Sequence, residues 1–306
     1  MIFLEVSDYN SLVSQEITHY AHWNINSFLS EGAFGKIFNI QKENDTQQYI
    51  IKLENEGNET FLNELLFYLE IKAIKPININ ILELISYNLD ITVNNVKQGN
   101  IILPKLNYSL NPFNFEFEYF NIFCTKIINA LEYINSLNLV HSDISPKNIV
   151  FDYIWEPYII DFGLTKNFKN LEYKKLKGDL MGTYIYMSLD AHQGLVGQRN
   201  DLLSFGYILY EILECHKLPW NSKYFFKPYK AIFEFYKTKY KDYNMLYNYI
   251  YKKYICYDII KKKKKFALNN KLKYYNNQIL IDYFKIIKMG NYNDKPLYDK
   301  LYKLFI

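Results

Sequence analysis

The run His141-Ser142-Asp143-Ile144-Ser145-Pro146-Lys147-Asn148 is followed, thirteen residues after Asn148, by Asp161-Phe162-Gly163. An Asp able to accept a hydroxyl proton, an Asn five residues on and a second Asp beyond a short hairpin are the oxygen groups that phosphoryl transfer with magnesium requires. Asn148 and Asp161 offer the hard oxygen ligands. Upstream, Gly32 and Gly35 lie in Leu29-Ser30-Glu31-Gly32-Ala33-Phe34-Gly35-Lys36-Ile37. Their missing Cβ atoms let backbone N–H groups come close to phosphate oxygens. Lys52 ends the apolar run Tyr49-Ile50-Ile51, where an unpaired ammonium would be costly to bury, so it needs a partner.

Several elements must position these groups. Residues 24 to 53 alternate apolar and polar residues around the glycine turn, which predicts a hairpin from Phe28 to Ile40 and a third strand ending at Lys52. Glu59 to Lys72 reads as a helix with Phe61, Leu65, Tyr68 and Leu69 on one face, and Ile81 to Ile102 returns to strand patterning before Pro104. Phe120, Phe123, Ile127, Leu131 and Ile134 recur at helical spacing, so Glu116 to Asn138 is a long amphipathic helix leading into the His141 loop. Asp201 to Cys215 is a second, almost wholly apolar helix, of the kind found at the centre of a lobe. Asp201 at its start is placed to cap backbone N–H groups. Lys223 to Ile306 is rich in Tyr and Lys and reads as helical.

A glycine turn, a strand Lys, a helix Glu, H-x-D-x-x-x-x-N and D-F-G, in this order, resemble a protein kinase. The resemblance narrows at Met181-Gly182-Thr183, at Ser188-Leu189-Asp190-Ala191-His192, at Arg199-Asn200-Asp201-Leu202 and at Leu218-Pro219-Trp220. These segments are similar to the vaccinia-related kinase branch of the casein kinase I group, and the match covers about residues 24 to 222, with Asn291-Tyr292 resembling part of the final helices. The resemblance implies an α+β, bilobal protein kinase fold, with an N-terminal antiparallel sheet carrying one helix and a mainly helical C-terminal lobe. Residues 24–106 would form the first lobe with the hinge and 107–306 the second, residues 1–23 being an extension of the same single domain.

It also implies roles. Asp143 would be the catalytic base and Asn148 with Asp161 would hold magnesium. Lys52, oriented by Glu64, would grip the α- and β-phosphates of ATP, with Gly32, Phe34, Gly35 and Ile37 around the nucleotide. Leu103 would be the gatekeeper, while the Pro104 carbonyl and the Leu106 N–H would meet the adenine edge. His141 and Phe162 would be packing residues. Thr183, in a Gly-Thr pair, would bond Asp143 through its hydroxyl and favours Ser/Thr acceptors. Arg199 would be structural, with Asp190 as a candidate partner.

The chain departs from the family pattern in three places. Ser30 stands where the first glycine of G-x-G-x-x-G sits. Ser145 replaces the Lys that neutralises the transferring phosphate, and Lys147, two residues later, would supply that charge. Ser142 replaces the Arg of H-R-D, which removes the grip on an activation-loop phosphate. A pseudokinase scaffold is therefore the alternative to a working kinase, with a small-molecule phosphotransferase a more distant one.

Bulk properties bound the rest. The 306 residues, 49% hydrophobic, suit a globular protein with a sizeable core. Thirty-six basic against thirty-two acidic residues leave +4, too little to imply a nucleic-acid partner. Lys261 to Lys265 form the sharpest charge run, read first as a solvated helix end and otherwise as a nucleic-acid patch, a nuclear signal or an acidic-substrate site. Cys124, Cys215 and Cys256 are odd in number and widely spaced, which fits a reducing compartment. His19 and His22 lack a third nearby ligand. Met1 to Glu5 has no basic flank and no stretch approaches a membrane span, so a soluble, cytoplasmic protein is expected; the kinase resemblance implies protein substrates, and a monomer is expected. The bias to Ile, Asn, Lys and 31 tyrosines is that of an AT-rich genome and, with the resemblance, points to a virus in a host-cell cytoplasm. Arg199 is the single arginine, so its place asks for the planar guanidinium rather than an ammonium.

Overall fold

The computed structural model describes residues 23–31, 35–55, 58–93, 96–168, 182–221, 262, 277–290 and 294–306. The chain divides into two compact units, 1–109 with 150–165, and 110–149 with 166–306. Gly32, Phe34, Met181, Cys256, Asn291-Tyr292, the two N-terminal histidines and all of the lysine run except Lys262 lie outside the described residues.

In the first unit, β1 (Trp23–Glu31), β2 (Gly35–Lys42), β3 (Gln48–Asn55), β4 (Ser86–Val93) and β5 (Val96–Pro104) form a five-stranded sheet in the order β1-β2-β3-β5-β4. Every pairing is antiparallel. Period-2 alternation puts Phe38, Ile40, Tyr49, Ile51, Leu53 and Ile102 into one buried cluster, with Trp23, Ile25 and Ile85 packed on it. The third strand runs past Lys52 to Asn55, because Leu53 still faces the core and Glu54 is buried as well.

Helix α1 (Glu59–Ile74) begins at Asn58, whose side chain accepts from the Thr60 N–H at 3.3 Å. This satisfies one of the unpaired N–H groups of the first turn. The helix ends where Lys75 turns left-handed at φ 51°. Its buried side carries Phe61, Leu65 and Tyr68 as expected, but Phe67 and Ile71 in place of the half-buried Leu69. The reason is Phe162: its ring stacks on Phe67 with centroids 3.7 Å apart and meets Tyr68 edge-on at 5.5 Å. A helix face is thereby recruited to bury the aromatic of Asp-Phe-Gly, burial that contributes about 1.5–3 kcal/mol.

The second unit is mainly helical. A 3-10 turn at Phe117–Tyr119 leads into α2 (Phe120–Ser136), so the regular helix starts later than the periodicity suggests. All five residues of its apolar stripe are buried. Helix α3 (Leu189–His192) is short and is capped by the Ser188 hydroxyl, which accepts from the Ala191 N–H. Helix α4 (Arg199–Glu214) is buried on nearly every side. Helix α5 (Gln278–Ile287) packs where α4 presents Gly206, and the Tyr283 hydroxyl donates to the Leu202 carbonyl at 2.9 Å. A last helix, α6, spans Tyr298–Tyr302. Among the described residues no helix is long and apolar enough to cross a membrane.

Candidate active site

Each unit holds one group of polar side chains that the fold has buried together. In the first, Lys52 on β3 is met by three carboxylates. Its Nζ lies 2.5 Å from Glu64 Oε2, 2.8 Å from Glu54 Oε1 and 3.2 Å from Asp161 Oδ1. Glu64 comes from the second turn of α1, and Asp161 from the residue before the 3-10 turn Phe162–Leu164. Burial opposes the Lys52 charge, yet Glu64, Asp161 and Glu54 outweigh it and hold the ammonium well above the usual lysine range. Burial also raises Glu64, against the pull of Lys52. The expected pairing of Lys52 with Glu64 is thus present, and Glu54 is a member that sequence reasoning missed. Its signal was available: it follows Lys52 by two residues on one strand, so both side chains point to the same face.

Asp161 sits in the left-handed region at φ 68°. An L residue is disfavoured there by roughly 1–2 kcal/mol, and the surrounding packing of Phe162, Gly163 and Leu164, all buried, fixes it. Gly163 lies so close to α1 that a Cβ would come within 3.2 Å of the Thr60 backbone. Ile37 pairs with Lys52 across β2 and β3, and Leu103, buried on β5, pairs with Ile50. The residues on either side of Leu106 are pinned, Lys105 N–H to the Gln48 carbonyl at 3.0 Å and Asn107 N–H to the Phe151 carbonyl at 2.8 Å.

In the second unit Asp143 is the focus. Its Oδ1 accepts from the Thr183 N–H at 2.6 Å, and its Oδ2 accepts from the Asn148 amide at 3.0 Å. Lys147 Nζ lies 3.2 Å from the same Oδ2, its side chain otherwise largely exposed. Pro146 opens the 3-10 turn Pro146–Asn148 that brings Lys147 and Asn148 back onto Asp143. The second Asn148 amide hydrogen goes to the Asp143 carbonyl at 2.9 Å. Ser145 is fully buried and its hydroxyl has no hydrogen-bond partner among the described residues.

The Thr183 contact corrects one expectation. The bond to Asp143 is made by the backbone N–H and not by the hydroxyl, because Gly182 at φ 110° turns the chain so that the amide faces the carboxylate. Gly182→Ala would place a Cβ 2.9 Å from the Ser142 carbonyl oxygen and 3.5 Å from Asp143 Oδ1. We expect this variant to lose activity by about tenfold or more if Asp143 acts on substrate, since the added Cβ shifts its carboxylate by a fraction of an ångström. Steady-state rates with circular dichroism to confirm folding check it, and an unchanged rate would remove the Thr183 amide from the site.

The loop is held from α4. Asp201 accepts from the His141 N–H at 2.6 Å and the Ser142 N–H at 3.0 Å, so its carboxylate serves the His141–Asn148 loop rather than its own helix. Burial raises its carboxyl, while His141 and the two N–H bonds oppose the rise. His141 is itself buried, its Nδ1 accepting from the Asp143 N–H at 3.2 Å. The Tyr186 hydroxyl donates to Glu211 at 2.6 Å and the Trp220 indole to the Ile185 carbonyl at 2.8 Å, fastening the segment after Thr183 to α4 and its sequel. Arg199 does not pair with Asp190. Its guanidinium donates to the Gly290 carbonyl at 3.3 Å, because the start of α4 faces the chain that follows α5.

A strand lysine held by a helix glutamate, and an Asp–Asn loop pinned by a buried aspartate, are the working parts of a phosphotransferase of the kinase type. The protein kinase domain model matches residues 23–283, and the chain belongs to that family. It is similar to a probable casein kinase I homolog of Encephalitozoon cuniculi, 28% identical over 213 residues that cover 63% of this chain and 62% of the relative. A probable serine/threonine-protein kinase of fowlpox virus is 29% identical over 301 residues, 92% of this chain and 94% of the relative. Nucleosomal histone kinase 1 of Drosophila melanogaster is 27% identical over 223 residues, 66% of this chain and 37% of the relative.

Proposed function

We propose that the protein is a serine/threonine protein kinase that moves the γ-phosphate of ATP to Ser or Thr hydroxyls of proteins. The observation that carries this is the setting of Asp143, whose two oxygens are oriented by Thr183, Asn148 and Lys147. Such a carboxylate can align an acceptor hydroxyl and take its proton. Lys52 would hold the α- and β-phosphates. The name of the fowlpox relative, a probable serine/threonine-protein kinase, supports a Ser/Thr acceptor.

Magnesium suits the oxygen donor that each unit offers on its own. Both amide hydrogens of Asn148 are spent on Asp143, which leaves its oxygen as the ligand it can offer, and Asp161 supplies a carboxylate. Among the described residues no group of three or more His, Cys, Asp or Glu could hold a metal. A cation carried by nucleotide phosphates and steadied by one or two protein oxygens is the usual magnesium arrangement. Bound there, magnesium would neutralise phosphate charge.

Lys147 would provide the cation that the family pattern places at Ser145. Its ammonium stands beside the base, where charge on a transferring phosphoryl group would be met. Lys147→Ala is expected to lower kcat by about 10- to 100-fold with a smaller change in KM for ATP. An unchanged kcat would make Lys147 a solvated surface lysine. For the acceptor, phospho-amino-acid analysis of a general protein substrate should give phosphoserine and phosphothreonine, and mainly phosphotyrosine would overturn the assignment.

A further inference from the structure

An ammonium has three hydrogens to donate, and Lys52 has three carboxylate neighbours. Hydrogen-bond geometry is met towards Glu64 and Asp161, while Glu54 Oε1 is an ion-pair contact at 2.8 Å, and a phosphate oxygen would take the place of one of these neighbours. Asp161 is the longest contact at 3.2 Å and the most exposed, its side chain 33% accessible against 0% for Glu54 and 2% for Glu64. The two buried glutamates therefore remain on the lysine when Asp161 leaves.

Glu54 is built into this place. Its cross-strand neighbours on both sides are glycines, Gly35 on β2 and Gly99 on β5. A Cβ on Gly35 would stand 2.6 Å from Glu54 Cγ, and one on Gly99 would collide with the Phe61 ring. The strand thus keeps a slot open around a buried carboxylate. One oxygen faces Lys52, and the other accepts from the Thr60 hydroxyl at 2.9 Å and the Asn58 amide at 3.1 Å. Glu54 consequently ties the lysine to the first turn of α1, while Glu64 ties it to the second.

We propose that Glu54 is a positioning residue for nucleotide binding, a second permanent anchor of Lys52 that shares this work with Glu64. The inference rests on the kinase reading of Lys52 as the phosphate-binding residue. Its consequence is redundancy: neither glutamate alone is indispensable, and loss of both leaves the ammonium without a fixed position.

The test is a double-mutant cycle read as MgATP affinity by calorimetry, with no acceptor present. Glu54→Gln and Glu64→Gln keep the shape, and the amide oxygen that Glu54→Gln introduces can still accept from Thr60 and Asn58. Each single variant should weaken MgATP binding by no more than about fivefold, and the double variant by about 100-fold, more than the product of the two. Three results overturn the proposal: Glu54→Gln binding like wild type in both backgrounds, Glu64→Gln alone as weak as the double variant, or losses that simply multiply. If the double variant does not fold, Glu54→Asp replaces Glu54→Gln in both backgrounds. It keeps the buried charge but falls one methylene short of the lysine, and wild-type affinity in the Glu64→Gln background would overturn the proposal equally. Label transfer from ATP is measured on the same wild-type preparation, so binding without transfer would count against the kinase reading and leave the cycle intact.

Discussion

Asp143→Asn is expected to lower phosphoryl transfer about a thousandfold while MgATP affinity stays within about threefold of wild type. The loss has two physical sources. An amide cannot take the acceptor's proton, so the oxygen that aligns the hydroxyl no longer drives its deprotonation. In addition, both native oxygens face donors: the Thr183 N–H on one side, the Asn148 amide and the Lys147 ammonium on the other. Whichever way the new amide turns, its NH2 meets a donor, and one buried contact becomes a repulsion. Nucleotide binding is spared because Lys52 and its glutamates belong to the other unit. Steady-state kinetics and calorimetry on the same variant check both halves. A rate within tenfold of wild type would remove Asp143 as the base.

Lys52→Met is expected to destabilise the protein by about 3 kcal/mol at neutral pH and to abolish measurable MgATP binding. Methionine keeps the stem of the side chain but leaves Glu54 and Glu64 buried together without their cation. The sign of the pH dependence follows from Glu64. Burial raises its carboxyl, Lys52 lowers it, and Asp161 and Glu54 raise it further. Without the lysine only raising influences remain. An acid raised on folding binds more protons in the native state than in the unfolded one, so stability is lost as pH climbs from the ordinary carboxylate range through the folded value. The deficit of the variant should therefore be largest above neutrality and shrink as pH falls towards about 5. Thermal unfolding of wild type and variant across that range measures it, and a deficit that does not change with pH would show that the lysine does not compensate buried carboxylates.

The candidate site is legible in the sequence wherever the proposed chemistry needs a fixed residue type at a fixed spacing. Asp143, Asn148 and Asp161 fall in that class, and Lys52 with Glu64 follows from the cost of burying a lone charge. What escaped was set by backbone direction and by tertiary neighbours. Residue types cannot say that Thr183 reaches Asp143 through its N–H, since that depends on the φ of Gly182. The carboxylate of Asp201 was read as a helix cap because local rules favour that use, yet its partners lie sixty residues back in the chain. Arg199 turned to a backbone carbonyl rather than Asp190 for the same reason. Among the elements, the strands and the apolar stripe of α2 were plain from period 2 and period 3.6. The buried face of α1 was misjudged at Leu69 because an aromatic from Asp-Phe-Gly, distant in sequence, recruits Phe67. Glu54 escapes because the strand reads as ending at Lys52, and only its continuation to Asn55 puts the two side chains on one face.

Whether the relocated cation at Lys147 supports a working enzyme is tested most directly by one preparation of purified protein given γ-labelled ATP, magnesium and a general protein acceptor, with Asp143→Asn beside it. The expected result is label on serine and threonine of the acceptor, lost in the variant although both proteins bind MgATP. Binding of MgATP by the wild type with no transfer above the variant would contradict it, and would leave the fold as a nucleotide-binding scaffold.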